Sequence, residues 1–377
     1  IPNIEFLVTS NEETGFGGAE KIHPSMIKSE QLLNLDSERD SSICIGSAGG
    51  FDHSFQIPVD CINHPNNTNR CKDGENLALF VELSGFKGGH SGADIHLERG
   101  NAIKAMGRIL LPMLAYKVQL LYFSGGTALN SIPRDCRVVV EFNEVVDIND
   151  VCIQMRKTFE DIKTELKNAE PDIEMDIISL TDDNRDSITD EKLCGDQQVL
   201  SSSDSAKIIN FLVLTPHGIL RRCPETNSVE SSICLSVAQL KTNHMHVHVL
   251  VRSTVHSWMH YYSEVLTVKG TVFGAESKTM EVFVPAWAPT SKTANSMYRL
   301  VQEAHQDLYG QDAQVHSVHA GVEISSLLQK KPSLSAASMG PTILDAHTPQ
   351  ERLDVGSSTK YMMWLGKVIE NIIIIKK

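Results

Sequence analysis

The order of predicted elements between residues 76 and 180 constrains the fold more than any other feature of the sequence. The stretch "NLALFVELSGF" (76–86) predicts a strand, and apolar residues then recur at helical spacing from Ile103 to Leu114. Two more strands, "VQLLYFSGG" and "DCRVVVEFN", precede a helix over about 147–167 and the strand "IEMDIISL". The order β-α-β-β-α-β is that of a split βαβ unit, so we expect an α+β lobe here.

A second stretch of mixed pattern follows the polar segment 181–203. A helix over 204–214 is predicted to lead to the alternating strands "SSICLSVAQLKTN" and "MHVHVLVRS", a helix near 254–266, and the strands "VKGTVFGA" and "TMEVFVPAW". The sequence pattern at both ends of the chain predicts α/β structure. The first 50 residues predict strands at Ile4–Val8 and Ile43–Ile45, and the last 90 predict helices over 292–309 and 357–371.

Composition excludes several classes of function. The chain has 377 residues, of which 41% are hydrophobic, and this is enough for two domains with separate cores. The net charge of -13 opposes nucleic-acid binding, and no apolar stretch reaches the roughly 18 residues that span a bilayer. The eight cysteines include no CxxC pair, so we expect free thiols and a cytoplasmic location.

Two adjacent carboxylates, Glu12 and Glu13, lie between the predicted strand Ile4–Val8 and a glycine cluster. Most such pairs are solvated surface. The alternative is that one carboxylate binds a metal ion and the other moves protons, since sites in open α/β sheets lie at the carboxyl ends of strands. Asp36 and His347 also follow predicted strands, and carboxylate and imidazole are common zinc ligands.

Six short motifs occur along the chain in the order "NEETG", "NLDSE", "GGHSGADIH", "GG…NSIPR", "HAGVE" and "AHTPQERL". In this order they resemble the M20 metallopeptidases, specifically the aminoacyl-histidine (Xaa-His) dipeptidase branch. The resemblance covers essentially the whole chain. It is strongest in "FKGGHSGADIHLERGNAIK" and "GPTILDAHTPQERLDV".

The resemblance implies a role for each motif residue at the metal centre. Glu12 would be the general base that deprotonates the attacking water, and Glu13 would ligate one metal ion. Asp36 would ligate the other, with His347 as a terminal ligand. The implied cofactor is a pair of divalent metal ions, with zinc favoured and cobalt or manganese as alternatives.

The resemblance also implies residues that contact substrate. His90 would donate a hydrogen bond to the developing oxyanion, and Asn130 and Arg252 would hold the substrate, with Arg252 pairing with its free carboxylate. Glu323 would sit near the substrate amine. The implied substrate is a dipeptide or short peptide of the Xaa-His type, and the implied partner is a second copy of the chain, bound through the lid.

The implied fold is α/β: a split catalytic domain with a mixed sheet flanked by helices, plus an inserted two-lobed α+β lid. The expected domains are 1–52 and 285–377 for the catalytic domain and 53–284 for the lid.

The sequence departs from the family pattern in three places. Family members carry an HxD-type and a G-A-D-N-G-type motif upstream of the glutamate pair, and this chain begins after both, so a missing N-terminal segment is expected. Where the family reads H-A-G-L-E-C-G and V-E-T-S-x-N-L, this chain reads "HAGVEISS" and "VESSICL". Two hypotheses remain: a metallodipeptidase, or a non-catalytic M20-like protein that binds peptides or partners.

Overall fold

The computed structural model describes residues 4–12, 16–63, 78–142, 146–180, 198–224, 227–279, 284–288, 295–344, 346 and 350–375. Its α-helices are α1 (Gly17–Lys21), α2 (Ala102–Leu110), α3 (Ile148–Leu166), α4 (Ser202–Leu214), α5 (His256–Val272), α6 (Ser296–Tyr309), α7 (Glu323–Lys330) and α8 (Val355–Ile375). Short 3-10 helices cover Pro24–Met26, Ile95–Leu97 and Pro112–Tyr116.

The strands of the first half are β1 (Gln31–Asn34), β2 (Ser42–Ser47), β3 (Gly49–Pro58), β4 (Cys61–Asn63), β5 (Ala78–Ser84), β6 (Gly89–His90), β7 (Val118–Gly125), β8 (Ser131–Ile132), β9 (Cys136–Phe142) and β10 (Glu174–Leu180). Those of the second half are β11 (Gln198–Leu200), β12 (Gly218–Arg222), β13 (Val229–Leu240), β14 (His244–Ser253), β15 (Glu276–Thr279), β16 (Gln314–Val318), β17 (Ser335–Ser338), β18 (Ile343–Leu344) and β19 (Arg352–Leu353).

The smaller of the two main sheets joins the two ends of the chain. Its strand order is β1-β17-β2-β16, so each early strand lies beside a late one. The pairs β1–β17 and β2–β16 are parallel, whereas β17 and β2 are antiparallel, which makes the sheet mixed. Helices α6 and α8 cover it through an apolar cluster that includes Ile43, Val301 and Trp364, and Trp364 Nε1 donates to the carbonyl of Val301 at 2.8 Å.

The larger sheet has the order β10-β5-β9-β7-β13-β14-β3-β15, with β12 also paired to β13. Helices α2, α3, α4 and α5 share one core with one face of this sheet. On β14 the alternate residues Met245, Val247, Val249 and Val251 enter that core. The other alternate residues, His246, His248, Leu250 and Arg252, therefore point to the opposite face.

The larger sheet consists of two lobes with the same topology. The first lobe runs β5-α2-β7-β9-α3-β10 along the chain, as predicted for residues 76–180, and its spatial order is fourth, first, third, second strand. The second lobe runs β3-α4-β13-β14-α5-β15 and has the same spatial order. The first lobe is thus inserted between the first strand and the first helix of the second.

The expected fold class is confirmed: an α/β protein with a split mixed sheet flanked by helices and an inserted two-lobed α+β region. The exact domain boundaries stay a prediction. The first residue of the chain that belongs to the larger sheet is Gly49, where β3 begins.

Three local predictions were wrong or incomplete. Residues 4–8 form no strand; Phe6 and Val8 are 92% and 91% exposed, and no described strand pairs with them. The stretch "VKGTVFGA" was predicted as a strand, but α5 continues to Val272, because Leu266 and Gly270 sit one helical turn apart on its buried face. The strand β3 was not predicted; Phe51, Phe55 and Ile57 are its residues in the core.

Candidate functional site

His90 lies in the short strand β6, where it pairs with Ser131 of β8. The neighbouring Ser91 donates its N–H to the carbonyl of Asn130 at 2.8 Å, so two of the predicted substrate residues lie on adjoining segments. The Nδ1 of His90 accepts from the backbone N–H groups of Gly92 and Ala93 at 3.2 and 2.9 Å. A neutral ring with Nδ1 as acceptor carries its hydrogen on Nε2, which makes Nε2 the donor.

Gly92 brings the loop of His90 against two other parts of the chain. A Cβ at this position would overlap the carbonyl oxygen of His319 and lie 2.8 Å from Nε of Arg252. Only glycine allows this approach. The first lobe, the second lobe and the loop after β16 therefore meet at Gly92.

Arg252 lies near the end of β14, opposite Gly50 of β3 on one side and Ser232 of β13 on the other. Its Nε is shielded from solvent and has no hydrogen-bond partner among the described residues. Burial lowers the pKa of the guanidinium, and the Asp52 carboxylate partly offsets this effect. Arg252 is thus a partly compensated cation in an enclosed position, which suits it to bind an anionic group.

His319 follows β16 directly and belongs to the motif "HAGVE". Its Nε2 lies 2.7 Å from the hydroxyl of Ser232. Burial, followed by the charge of Arg252, lowers the pKa of His319 to about 3. The ring is therefore neutral at ordinary pH and adds no positive charge beside Arg252.

Glu323 is the first residue of α7, and its Oε1 is buried without a hydrogen-bond partner among the described residues. Helix α7 packs against α1, which follows the glutamate pair. Between these two helices, Phe16 approaches Gly321, where a Cβ would lie 3.3 Å from the aromatic ring. The loop of Glu12, a half-buried residue, is therefore beside the segment that carries Glu323.

Asp36 is exposed in the loop after β1, where its N–H donates to Oδ1 of Asn34 at 3.1 Å. The same loop is tied to the segment after β17. Ser338 donates to Oδ1 of Asn34 at 2.6 Å, and the N–H of Ser37 donates to the carbonyl of Met339 at 3.4 Å. That segment leads towards position 347 in the sequence, but Glu13 and His347 lie outside the described residues.

The structure thus brings His90, Asn130 and Arg252 together, and places the loop of Glu12 beside the helix of Glu323. It adds two residues that the sequence analysis did not single out, His319 and Ser232. Both lie in quoted motifs, "HAGVE" and "VESSICL", but no spacing in the sequence indicates that they meet. Within the described part of the chain, no three His, Cys, Asp or Glu side chains form a group suited to a metal ion.

Comparison with known proteins bears on this arrangement. Residues 81–170, which run from β5 through α3, match the M20 family model described as the peptidase dimerisation domain. The chain is 29% identical over 371 residues to the cytosol non-specific dipeptidase of Escherichia coli (strain K12), covering 98% of this chain and 71% of that protein. Aminoacylhistidine dipeptidase from Vibrio alginolyticus superposes with a TM-score of 0.82 at 27% identity, over 96% of this chain and 69% of that one.

The chain is thus similar to M20 peptidases in residues 81–170, and to the two named dipeptidases over nearly all of its length. The residues matched by the family model belong to the first lobe, and the candidate site lies where both lobes reach the smaller sheet. None of its described helices is long and apolar enough to cross a membrane.

Proposed function

We propose that this chain carries out metal-dependent hydrolysis of dipeptides, with Xaa-His dipeptides as the substrates to test first. The proposal is supported by the two named dipeptidases, which resemble this chain over nearly all of its length. It is also supported by the site itself, where the Arg252 guanidinium, the His90 imidazole and the Glu323 carboxylate lie around the junction of the lobes and the smaller sheet. Oε1 of Glu323 is buried and has no hydrogen-bond partner among the described residues.

The metal ligands in this proposal are Glu13, Asp36 and His347. Two carboxylates and an imidazole are a donor set that divalent ions such as zinc accept, and Asp36 is exposed at the carboxyl end of β1. Two bound ions would polarise the scissile carbonyl and lower the pKa of a bound water.

Each of the other site residues has a defined task in the proposed reaction. Glu12 takes the proton from water and passes it to the leaving amine. His90 donates from Nε2 to the oxyanion, because its Nδ1 is already occupied by two backbone N–H groups. Asn130 contacts the substrate next to His90. Glu323 accepts from the substrate ammonium with Oε1, which has no partner among the residues that the structure describes.

Three finer assignments belong to the same proposal. Zinc is the metal, since its usual ligands are His nitrogen and carboxylate oxygen. The assembly is a homodimer through the lid, supported by the match of residues 81–170 to a dimerisation domain. The location is cytoplasmic, supported by the name of the Escherichia coli relative and by the free Cys44, Cys136, Cys152, Cys223 and Cys234.

The observation that carries the proposal is the position of Arg252. An enclosed guanidinium whose Nε is shielded and has no hydrogen-bond partner in the described part of the chain is costly unless an anion completes its surroundings. The carboxylate of a dipeptide is such an anion, and the neighbouring neutral His319 does not compete for it. Arg252 would therefore select peptides in which a single residue, with a free carboxylate, follows the scissile bond.

We expect Arg252→Lys to raise KM for Gly-His by about tenfold or more, since lysine keeps the charge but loses bidentate pairing. Hydrolysis of Gly-His and of its C-terminal amide is measured on the purified protein supplied with Zn²⁺. Wild type should prefer the free carboxylate, and Arg252→Lys should lose most of that preference. The control is Arg108→Lys, at an exposed ion pair with Glu165, which should behave as wild type.

Equal KM values of the wild type for dipeptide and amide would exclude Arg252 as the carboxylate ligand. If the metal-loaded protein binds dipeptides in calorimetry but hydrolyses none, the non-catalytic peptide-binding hypothesis replaces the enzyme.

A further inference from the structure

Two of the connections between the lid and the smaller sheet that the described residues make lie on either side of Arg252. The first is formed by two antiparallel segments of backbone. Ser47 exchanges N–H···O bonds with Trp287 at 2.9 and 3.0 Å, and Gly50 exchanges them with Val284 at 3.0 and 3.1 Å. These segments are the passages of the chain into and out of the larger sheet, so we call residues 47–50 and 284–287 the hinge.

The second connection is the hydrogen bond between Ser232 and His319. Ser232 belongs to the second lobe and is 1% exposed, whereas His319 follows β16 of the smaller sheet. The 2.7 Å contact therefore joins the two main sheets through side chains, not through the continuous chain. Gly92 of the first lobe packs against the same His319, on its carbonyl oxygen.

The register of the larger sheet places Arg252 between these two connections. Gly50 of the hinge, Arg252 and Ser232 are paired in one row across β3, β14 and β13. Adjacent strands lie about 4.8 Å apart, so the hinge and Ser232 are about 10 Å apart with Arg252 midway. A rotation of the lid about the hinge would move Ser232 away from His319 and would carry Arg252 with it.

We propose that Ser232 and His319 form a latch that holds the lid on the smaller sheet and sets the distance of Arg252 from the reacting bond. Both are positioning residues, since they act on substrate through Arg252. This inference rests on the proposed function, in which Arg252 binds the substrate carboxylate.

The chemistry of the pair suits a latch that works over a wide pH range. The pKa of His319 is lowered to about 3 by burial and by Arg252, so the ring does not titrate between pH 5 and 9. A neutral imidazole can donate to or accept from a hydroxyl, whereas a charged ring would repel the Arg252 guanidinium. The effect of breaking the latch should accordingly be the same at pH 6 and pH 9.

Ser232→Ala tests the latch through the selectivity for a free carboxylate. Loss of a buried hydrogen bond should raise KM for Gly-His about tenfold and leave KM for Gly-His amide within about twofold, with kcat changing less than KM. Ser232→Thr keeps the hydroxyl and should restore the wild-type KM. The matched control is Ser236→Ala, a buried serine on the same strand whose hydroxyl bonds to the Cys234 carbonyl; it should leave both KM values unchanged.

The double variant Ser232→Ala/His319→Ala should be no worse than the poorer single variant, because both changes remove one interaction. Additive losses, or an equal rise of KM for dipeptide and amide, would overturn the latch.

Hydrogen exchange of the ligand-free protein separates this inference from the proposed function. Ser232→Ala should speed the exchange of peptides covering 89–94 and 318–323, while Ser236→Ala should not. Unchanged exchange in Ser232→Ala would refute the latch whatever the activity. A wild type that hydrolyses no dipeptide, with faster exchange in Ser232→Ala, would refute the function and leave the latch in place.

Discussion

At the scale of single residues, the two nitrogens of His90 have different tasks. Nδ1 accepts from the backbone N–H groups of Gly92 and Ala93, and Nε2, which carries the hydrogen of the neutral ring, is the donor in the proposed reaction. Asparagine places an amide oxygen close to where Nδ1 lies, so His90→Asn should keep the turn and lose the donor. We expect kcat to fall by about 10²–10³ with little change in the thermal midpoint, measured by steady-state kinetics and circular dichroism.

His90→Gln is the matched comparison, because its amide reaches the position of Nε2 but leaves both backbone N–H groups without their acceptor. It should lower the thermal midpoint as well as kcat. Wild-type turnover in His90→Asn would show that Nε2 does not touch the reacting bond.

At the scale of secondary-structure elements, the end of α4 is held by two lysines from neighbouring helices. Lys104 of α2 donates to the carbonyls of Leu212, Val213 and Thr215 at 3.0, 2.6 and 2.6 Å. Lys269 of α5 donates to the carbonyl of Phe211 at 2.8 Å and to the hydroxyl of Thr215. The last carbonyls of a helix lack partners within it and carry partial negative charge, so buried ammonium groups can bind there.

These lysines should make stability depend on pH. Burial lowers the pKa of Lys269 to about 7, against 10.5 for the ordinary side chain. Between these values the unfolded chain binds a proton that the folded chain does not. The contribution of Lys269 to the free energy of unfolding is therefore fully present above pH 10.5, and it is lost as the pH falls to about 7. Relative to Lys269→Met, the free energy of unfolding of the wild type should rise by up to about 1.4 kcal/mol per pH unit over this range.

Urea unfolding at pH 7, 8 and 9 measures this slope. Lys157→Met, at an exposed position of α3, is the control and should follow the wild type. If the free energy of unfolding changed with pH in the same way in wild type and in Lys269→Met, the pKa of Lys269 would not be lowered.

At the scale of the whole molecule, the two lobes form one sheet through a narrow joint. Strands β7 and β13 pair only at Gly125–Ala238 and Ser124–Gln239 among the described residues. Beside this joint Gly126 has φ +72°, and a Cβ there would overlap the carbonyl oxygen of Ser236. Gly126→Ala should therefore push the lobes apart as well as strain the backbone.

Gly274→Ala separates these two costs. Gly274 has φ +64°, but nothing described lies within 4 Å of its would-be Cβ, so only the backbone cost applies. We expect Gly126→Ala to lower the midpoint of thermal unfolding by at least about 4 °C more than Gly274→Ala, measured by calorimetry. Equal unfolding midpoints for the two variants would show that a Cβ at the joint between the lobes causes no loss of stability beyond the backbone strain.

Part of this protein follows from local sequence. The order of elements in the first lobe could be predicted because apolar spacing of 3.6 or 2 residues depends on neighbours along the chain. His90 and Asn130 could be named because each lies in a short, ordered motif, whereas Arg252 was named only through the family resemblance. The structure places all three at one junction.

The remainder was decided by tertiary structure. The first strand of the second lobe, β3, ends at Pro58, while its first helix, α4, begins at Ser202, so no local pattern links them. The three β-branched residues of "VKGTVFGA" favour a strand locally, but all three are helical, because α5 packs on Phe55 through Gly270. Ser232 and His319 are 87 residues apart in sequence and 2.7 Å apart in space. Periodicity in the sequence indicates which side of a helix or strand is buried. Contacts between distant parts of the chain decide which other element covers that side and which polar groups then meet.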